Sequence, residues 1–146
     1  MTKRTFIKVL SANDLGKTGG HQAGIVVPKG DGELLAFLPS LDAGSLNPSA
    51  WIECVTAYGQ ILRLRYVHYN NRLHRPDGTR NEYRLTHLTK FLRESGAKVG
   101  DGFELSKDDA AQRYCIRVVE EGGRQTQPDE DGPVRIKLRA GWRRVH

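Results

Sequence analysis

The chain has 146 residues, of which 38% are hydrophobic and 27% charged, a composition that fits one folded domain with its own core and excludes a disordered tail. No apolar run approaches the ~20 residues that span a bilayer, and the basic start at Met1–Arg4 is not followed by an apolar signal region, so a membrane partner is excluded and a cytoplasmic location is expected. Cys54 and Cys115 have no CxxC or histidine-spaced partner and read as lone core cysteines of a reducing compartment.

The net charge of +6 is concentrated. Residues 62–93 hold eight Lys/Arg against Asp77 and Glu82, while the remainder balances at 15 basic and 15 acidic residues. A local, arginine-dominated excess is better matched to a polyanion than to a solvated face, because the planar guanidinium fits phosphate and guanine edges.

In chain order, residues 5–12 alternate as a first strand and run into a polar, glycine-rich loop at 13–22. Residues 23–27 form a short β-branched run stopped by Pro28, followed by a brief helix near 33–38. Residues 51–58 and 61–69 are two strand-like runs about a turn at Gly59-Gln60. A polar loop at 70–77 ends in Pro76-Asp77-Gly78, a strong turn signal. Leu88, Phe91 and Leu92 make an i, i+3, i+4 stripe within a helix at 87–95, and Gly96 is its stop. Strands follow at 103–105, 113–120 and 134–138, with an acidic, turn-rich connector at 121–133. Trp51 and Trp142 lie in strand-like patterns and are assigned to the core. The total is mainly β, about seven short strands with two short helices in one domain over residues 1–146. That count favours a small closed or nearly closed barrel and leaves a sandwich open.

Catalytic patterns are missing. Residues 11–18 (SANDLGKT) come within one residue of a phosphate-cradling loop, but Ser11 stands where its first glycine belongs. Gly19-Gly20-His21 also opposes the helix that such a loop must open. Asp77 with Glu82, and Glu104 with Lys107, have the wrong spacing for a magnesium-dependent nuclease centre. Five scattered histidines and two cysteines offer no zinc set, and no nucleophilic triad is legible. The chain is expected to be non-catalytic, with no metal and no cofactor.

The segment at residues 78–84 (GTRNEYR) reads differently. Arg80 and Arg84 can each grip a guanine O6/N7 edge, Asn81 can read adenine, and Glu82 can accept from a cytosine amino group. Glu82 has two readings, a base reader or a salt-bridge partner of Arg80 or Arg84. Lys17 and Thr18 in the first loop, with Asn70, Asn71 and Arg72 at the base of the second, suit phosphate contacts that position without specifying.

Residues 7–8 (IK), 10–14 (LSAND), Gly16 and 18–22 (TGGHQ), then 46–49 (LNPS), 69–70 (YN), Arg72, 79–82 (TRNE) and Arg84, occur in the order found in the N-terminal effector domains of EcoRII-type restriction endonucleases. The resemblance covers residues 6–86 and thins beyond them. It implies a seven-stranded DNA-binding pseudobarrel, shared with certain plant transcription-factor domains, from which two recognition arms project into the major groove. The first arm would be residues 11–22, contributing Ser11, Asn13, Asp14, Lys17, Thr18, His21 and Gln22, with Lys8 beside it. The second would be residues 72–84, contributing Arg72, Thr79, Arg80, Asn81, Glu82, Tyr83 and Arg84, with Asn70 and Asn71 at its base. Gly78 and Tyr83 stand where the family has lysines. The implied target is a short CCWGG-like duplex site, W being A or T, in a prokaryotic cytoplasm. Cleavage would belong to a fused or associated nuclease domain. A stand-alone transcription-factor-like module is the alternative, and an RNA-binding barrel ranks low because only Tyr66, Tyr69 and Tyr83 are placed to stack.

Overall fold

The computed structural model describes residues 3–16, 24–120 and 141–145. The chain runs β1 (Lys3–Val9), β2 (Ile25–Val27), α1 (Gly32–Phe37), β3 (Ser49–Val55), β4 (Ile61–Tyr69), α2 (Asn71–His74), β5 (Glu82–Thr86), α3 (Thr89–Glu94), β6 (Gly102–Asp108), β7 (Tyr114–Val119) and β8 (Trp142–Val145). The strands form one sheet in the order β2-β5-β4-β3-β7-β6-β1-β8. Neighbours pair antiparallel except β3 with β7, which run parallel at Cys54–Tyr114 and Val55–Cys115.

An open sheet of this length would leave β2 and β8 as bare edges. Here the indole Nε1 of Trp142 on β8 donates to the carbonyl of Val26 on β2, at 2.9 Å. That bond joins the two ends of the sheet and curls it into a nearly closed barrel. The period-2 rule then sorts each strand. On β4, Leu64, Tyr66 and His68 turn inward and are buried, while Arg63 and Arg65 face outward. Phe6, Leu85, Phe103, Leu105 and Ile116 fill the same interior.

Two helices stopper the barrel. Asp31 caps α1 by accepting from Leu34 N at 3.1 Å, and Phe37 packs on Phe6 with ring centroids 4.9 Å apart. The Tyr114 hydroxyl donates to Phe37 O at 2.6 Å inside the core; burial, then the neighbouring Cys54, push this phenol up to about 12 although Arg4 opposes. The predicted stripe Leu88, Phe91 and Leu92 is buried at α3. Gly96 ends that helix at φ +69, a left-handed turn that glycine adopts without strain.

Several expectations are corrected. There are eight strands and three helices among the described residues, against seven and two. The missed β5 reads as a polar arm because Glu82, Arg84 and Thr86 are polar, and the missed α2 is a single helical turn inside the polar loop. β8 was missed as well, while the expected strand at 134–138 and connector at 121–133 lie outside the described residues. β1 stops at Val9 because Leu10 N bonds to Asp101 O and the next residues turn. Trp51 is 49% exposed rather than core, whereas Trp142 packs partly buried against the core. Both cysteines are free, but only Cys54 is buried; Cys115 is exposed. Burial, then the nearby Cys115, push the Cys54 thiol up to about 12. No described helix is long and apolar enough to cross a membrane.

Trp142→Phe keeps an aromatic ring on the core and removes the donor to Val26. The variant is expected to lose about 1 kcal/mol and roughly 3 °C of Tm in thermal unfolding. An unchanged Tm would show that the barrel stays closed without this bond.

Candidate nucleic-acid interface

Two loops feed neighbouring strands of the sheet, β2 and β5. The first joins β1 to β2, and its described root is residues 10–16. There Ser11 N donates to Asp14 Oδ2 at 3.0 Å and Asp14 N donates to Ser11 Oγ at 3.2 Å, a reciprocal turn. Lys8 Nζ donates to the same Asp14 oxygen at 2.7 Å and to Val9 O at 2.9 Å. Lys8 is only 7% exposed and Asp14 only 6%. A buried charge persists when paired, so these two, expected among the contacts, instead anchor the loop to the barrel. Ser11 is exposed and Asn13 partly so. Lys17, Thr18, His21 and Gln22 lie outside the described residues.

The chain re-enters the sheet at Gly24, with φ +90. A Cβ here would stand 2.0 Å from Leu85 O, which is impossible for any side chain, so the close approach of β2 to β5 requires glycine.

The second loop, between β4 and β5, is closed by asparagines. Asn70 is fully buried: its Oδ1 accepts from Asn47 N at 2.8 Å, its Nδ2 donates to Ser45 O at 2.8 Å, and its own N–H reaches Asn47 Oδ1 at 3.0 Å. Asn71 Oδ1 accepts from both Thr79 N (3.1 Å) and Arg80 N (2.8 Å), while Arg72 N donates to Arg80 O at 3.0 Å. The loop is therefore pinched at its neck. Gly78 fits there because a Cβ would lie 2.2 Å from Asn71 O. Asn70 and Asn71, expected to touch phosphate, are engaged in building the loop. Arg72, Arg75 and Thr79 remain exposed on it.

Arg80, Glu82 and Arg84 come together. Arg80 Nη2 donates to Glu82 Oε2 at 2.8 Å, and Arg84 Nε donates to the same oxygen. Arg80 lies over the Tyr69 ring at 3.9 Å, a cation–π contact that flattens it onto β4. Arg84 is 5% exposed, and its Nη1 reaches Gly24 O at 3.4 Å, so it ties the second arm to the return of the first. Burial pushes the Glu82 carboxyl up, but the hydrogen bonds and positive charge of Arg84 and Arg80 outweigh it and hold the group below its ordinary value. Both sequence readings of Glu82 start from this pairing.

Asn81 and Tyr83 point the other way. Asn81 Oδ1 accepts from His68 Nε2 at 2.8 Å, and Tyr83 stacks on His68 at 4.1 Å and on Tyr66 at 5.8 Å. Tyr83, expected at the interface, packs against the core. His68 and Tyr69 were missed as supports of the arm. Their signal was present: His68 follows Leu64 and Tyr66 at inward spacing, and Tyr69 follows Arg63 and Arg65 at outward spacing. No group of three or more His, Cys, Asp or Glu that could hold a metal ion occurs among the described residues.

Comparison with known proteins agrees with this architecture. The family described as restriction endonuclease EcoRII, N-terminal, matches residues 2–120. The type II restriction enzyme EcoRII of Escherichia coli is 40% identical over 110 residues, which is 70% of this chain but 26% of that enzyme. The chain thus spans about a quarter of that relative. Among solved structures, an Arabidopsis FUS3–DNA complex is similar with a TM-score of 0.57 at 20% identity, covering 78% of this chain and 94% of that one. A hypothetical Arabidopsis thaliana protein is similar with a TM-score of 0.51 at 8% identity, covering 82% and 93%. These two likenesses concern the fold.

Asn71→Ala removes the acceptor for two neck N–H groups and is expected to cost about 1–3 kcal/mol of local stability. Hydrogen exchange should accelerate at Thr79 and Arg80 before the barrel strands; uniform exchange would place the neck's closure elsewhere. For Glu82, the folded pKa lies below the unfolded one, so its contribution is present above the unfolded pKa and is lost as pH falls through the folded pKa. Glu82→Gln should flatten that acid limb of a stability–pH curve while leaving the alkaline limb in place.

Proposed function

The chain belongs to the family of EcoRII restriction endonuclease N-terminal domains, and from that premise we propose that it recognises a short CCWGG-like site in double-stranded DNA through two arms in the major groove. The observation that carries this reading is the Arg80–Glu82–Arg84 set at the foot of a stiffened loop, in which Arg80 and Glu82 are partly exposed and Arg84 is buried. Two guanidiniums suit guanine O6/N7 edges, and a carboxylate between them suits a cytosine amino group, so one set addresses the G·C pairs of such a site. Binding exchanges the internal ion pairs for base edges. The carboxylate is compensated only where a cytosine is offered, which converts charge into selectivity.

Around these readers, Arg72 and Thr79 of the second arm and Ser11, Asn13, Lys17 and Thr18 of the first would supply phosphate contacts that fix register, with His21 and Gln22 of the first arm as further DNA contacts. Lys8, Asp14, Asn70, Asn71, Asn81 and Tyr83 hold the arms in place. The domain needs no cofactor and performs no cleavage. A fused or associated nuclease domain would make the cut, and recognition here would position or regulate it. A stand-alone transcription-factor-like module would use the same readers; a fused nuclease or a neighbouring methyltransferase gene separates the two.

A gel-shift titration at physiological salt, comparing a CCWGG duplex with one carrying a single changed guanine, tests the reading. Strong discrimination is expected, and equal binding to both would overturn the target. Arg80→Ala and Arg84→Ala should each cost roughly 1–3 kcal/mol on the cognate duplex and relax specificity. Lys17→Ala should weaken all sequences alike and lower the salt slope by about one. A mutant arginine that preserves the wild-type cognate-to-scrambled ratio is not a reader.

A further inference from the structure

The outward row of β4 does not end at the second arm. From Tyr69, on whose ring Arg80 lies, the same strand runs past the buried Val67 to Arg65 and Arg63, which line one groove together with Tyr69. At ~3.3 Å per residue this row covers roughly 20 Å, over half a turn of B-DNA. Beside it lies an open groove of about 590 Å³, walled by β4 on one side and by His87 and α3 on the other, and rimmed by Arg63, Arg65 and Lys90 with Glu94 as its acid.

The cations on this groove are not neutralised by acids among the described residues. Several arginines on or beside the other strands are matched to acids: Arg4 to Asp109 at 3.1 Å, Arg113 to Glu53 at 2.9 Å, Arg117 to Glu104 at 2.8 Å, and Arg144 to Glu33. Among the described residues, Arg63, Arg65 and Lys90 make no ion pair. Arg63 is instead held over the half-exposed Trp51 ring at 5.3 Å, and His87 meets the same ring at 4.9 Å. These cations lie along a strip leading away from the proposed base readers.

We propose that this groove takes the backbone phosphates of DNA flanking the recognised site, on one side of it. The inference rests on the DNA-recognition reading above and adds a second, sequence-independent contact to the same duplex. Because the strip leaves only the second arm, the contact is one-sided: flanking DNA on one side of the site strengthens binding, and flanking DNA on the other does not. Arg63 and Arg65 act as phosphate ligands, and Trp51 keeps Arg63 extended towards them.

The test uses the full chain with three duplexes carrying the same site, one with minimal ends and two extended on either flank. The wild-type chain is expected to bind one extended duplex severalfold more tightly, with a salt slope steeper by about two. The double variant Arg63→Gln/Arg65→Gln, changed only at outward strand positions, should lose that gain and that slope. Its affinity for the minimal duplex and its cognate-to-scrambled ratio should be retained. Equal gain in the variant, or no gain on either flank while cognate discrimination persists, overturns the groove contact and leaves the face to a protein partner. A wild-type chain without cognate discrimination overturns the recognition reading and the groove with it.

Discussion

The arms depend on a three-residue strand held from both sides. β2 pairs through the sheet with β5 alone, and the carbonyl of its middle residue, Val26, is taken by Trp142 from the far end of the sheet. So short a strand has little stability of its own. It is held by the approach of Gly24 to Leu85 and by barrel closure, and the first arm inherits its return direction from that contact. Arg84 then reaches back to Gly24 O, so its position is set by the same junction that sets the arm.

That junction explains how a strongly cationic segment folds without flying apart. Arg80 and Arg84 share one carboxylate oxygen of Glu82, and Arg80 also has the Tyr69 face beneath it. Side chains already ordered in the free protein lose less entropy on binding. The arrangement has a cost, because a carboxylate near phosphate repels the backbone of any sequence. The cost is offset only when a base edge replaces the arginines as its partner. A basic loop lacking Glu82 would bind DNA more indiscriminately.

What the sequence made legible is what periodicity and turn chemistry control. Leu88, Phe91 and Leu92 with Gly96 marked α3, the turn at Gly59 marked the β3–β4 hairpin, and the local charge at 62–93 marked the outer face of β4 and the second arm. The failures share one cause: a polar residue's reach and its burial look alike in one dimension. Lys8 and Asp14 sit beside a polar loop, and nothing local shows that they bury each other. Asn70 and Asn71 have side chains suited to phosphate but spend them on Asn47, Ser45, Thr79 and Arg80, partners many residues away. β5 was hidden because Glu82, Arg84 and Thr86 are polar although Arg84 and Thr86 are buried, and Trp51 was assigned inward because strand alternation gives a period but not its phase.

The inward side of the second arm constrains what the arm can read. Because Asn81 Oδ1 can only accept, the His68 bond requires a proton on Nε2, and the buried Nδ1 has no partner among the described residues. Its bond to His68 fixes the orientation of the Asn81 amide, so any contact it makes outward must be compatible with that bond. The two-way grip on adenine that its side chain allows in principle needs the carbonyl as well. On the proposed reading, the readers are two arginines and one carboxylate, a set suited to G·C pairs. Under that reading this is the chemistry that a CCWGG-like site asks for: four pairs specified by guanine and cytosine edges around a central W.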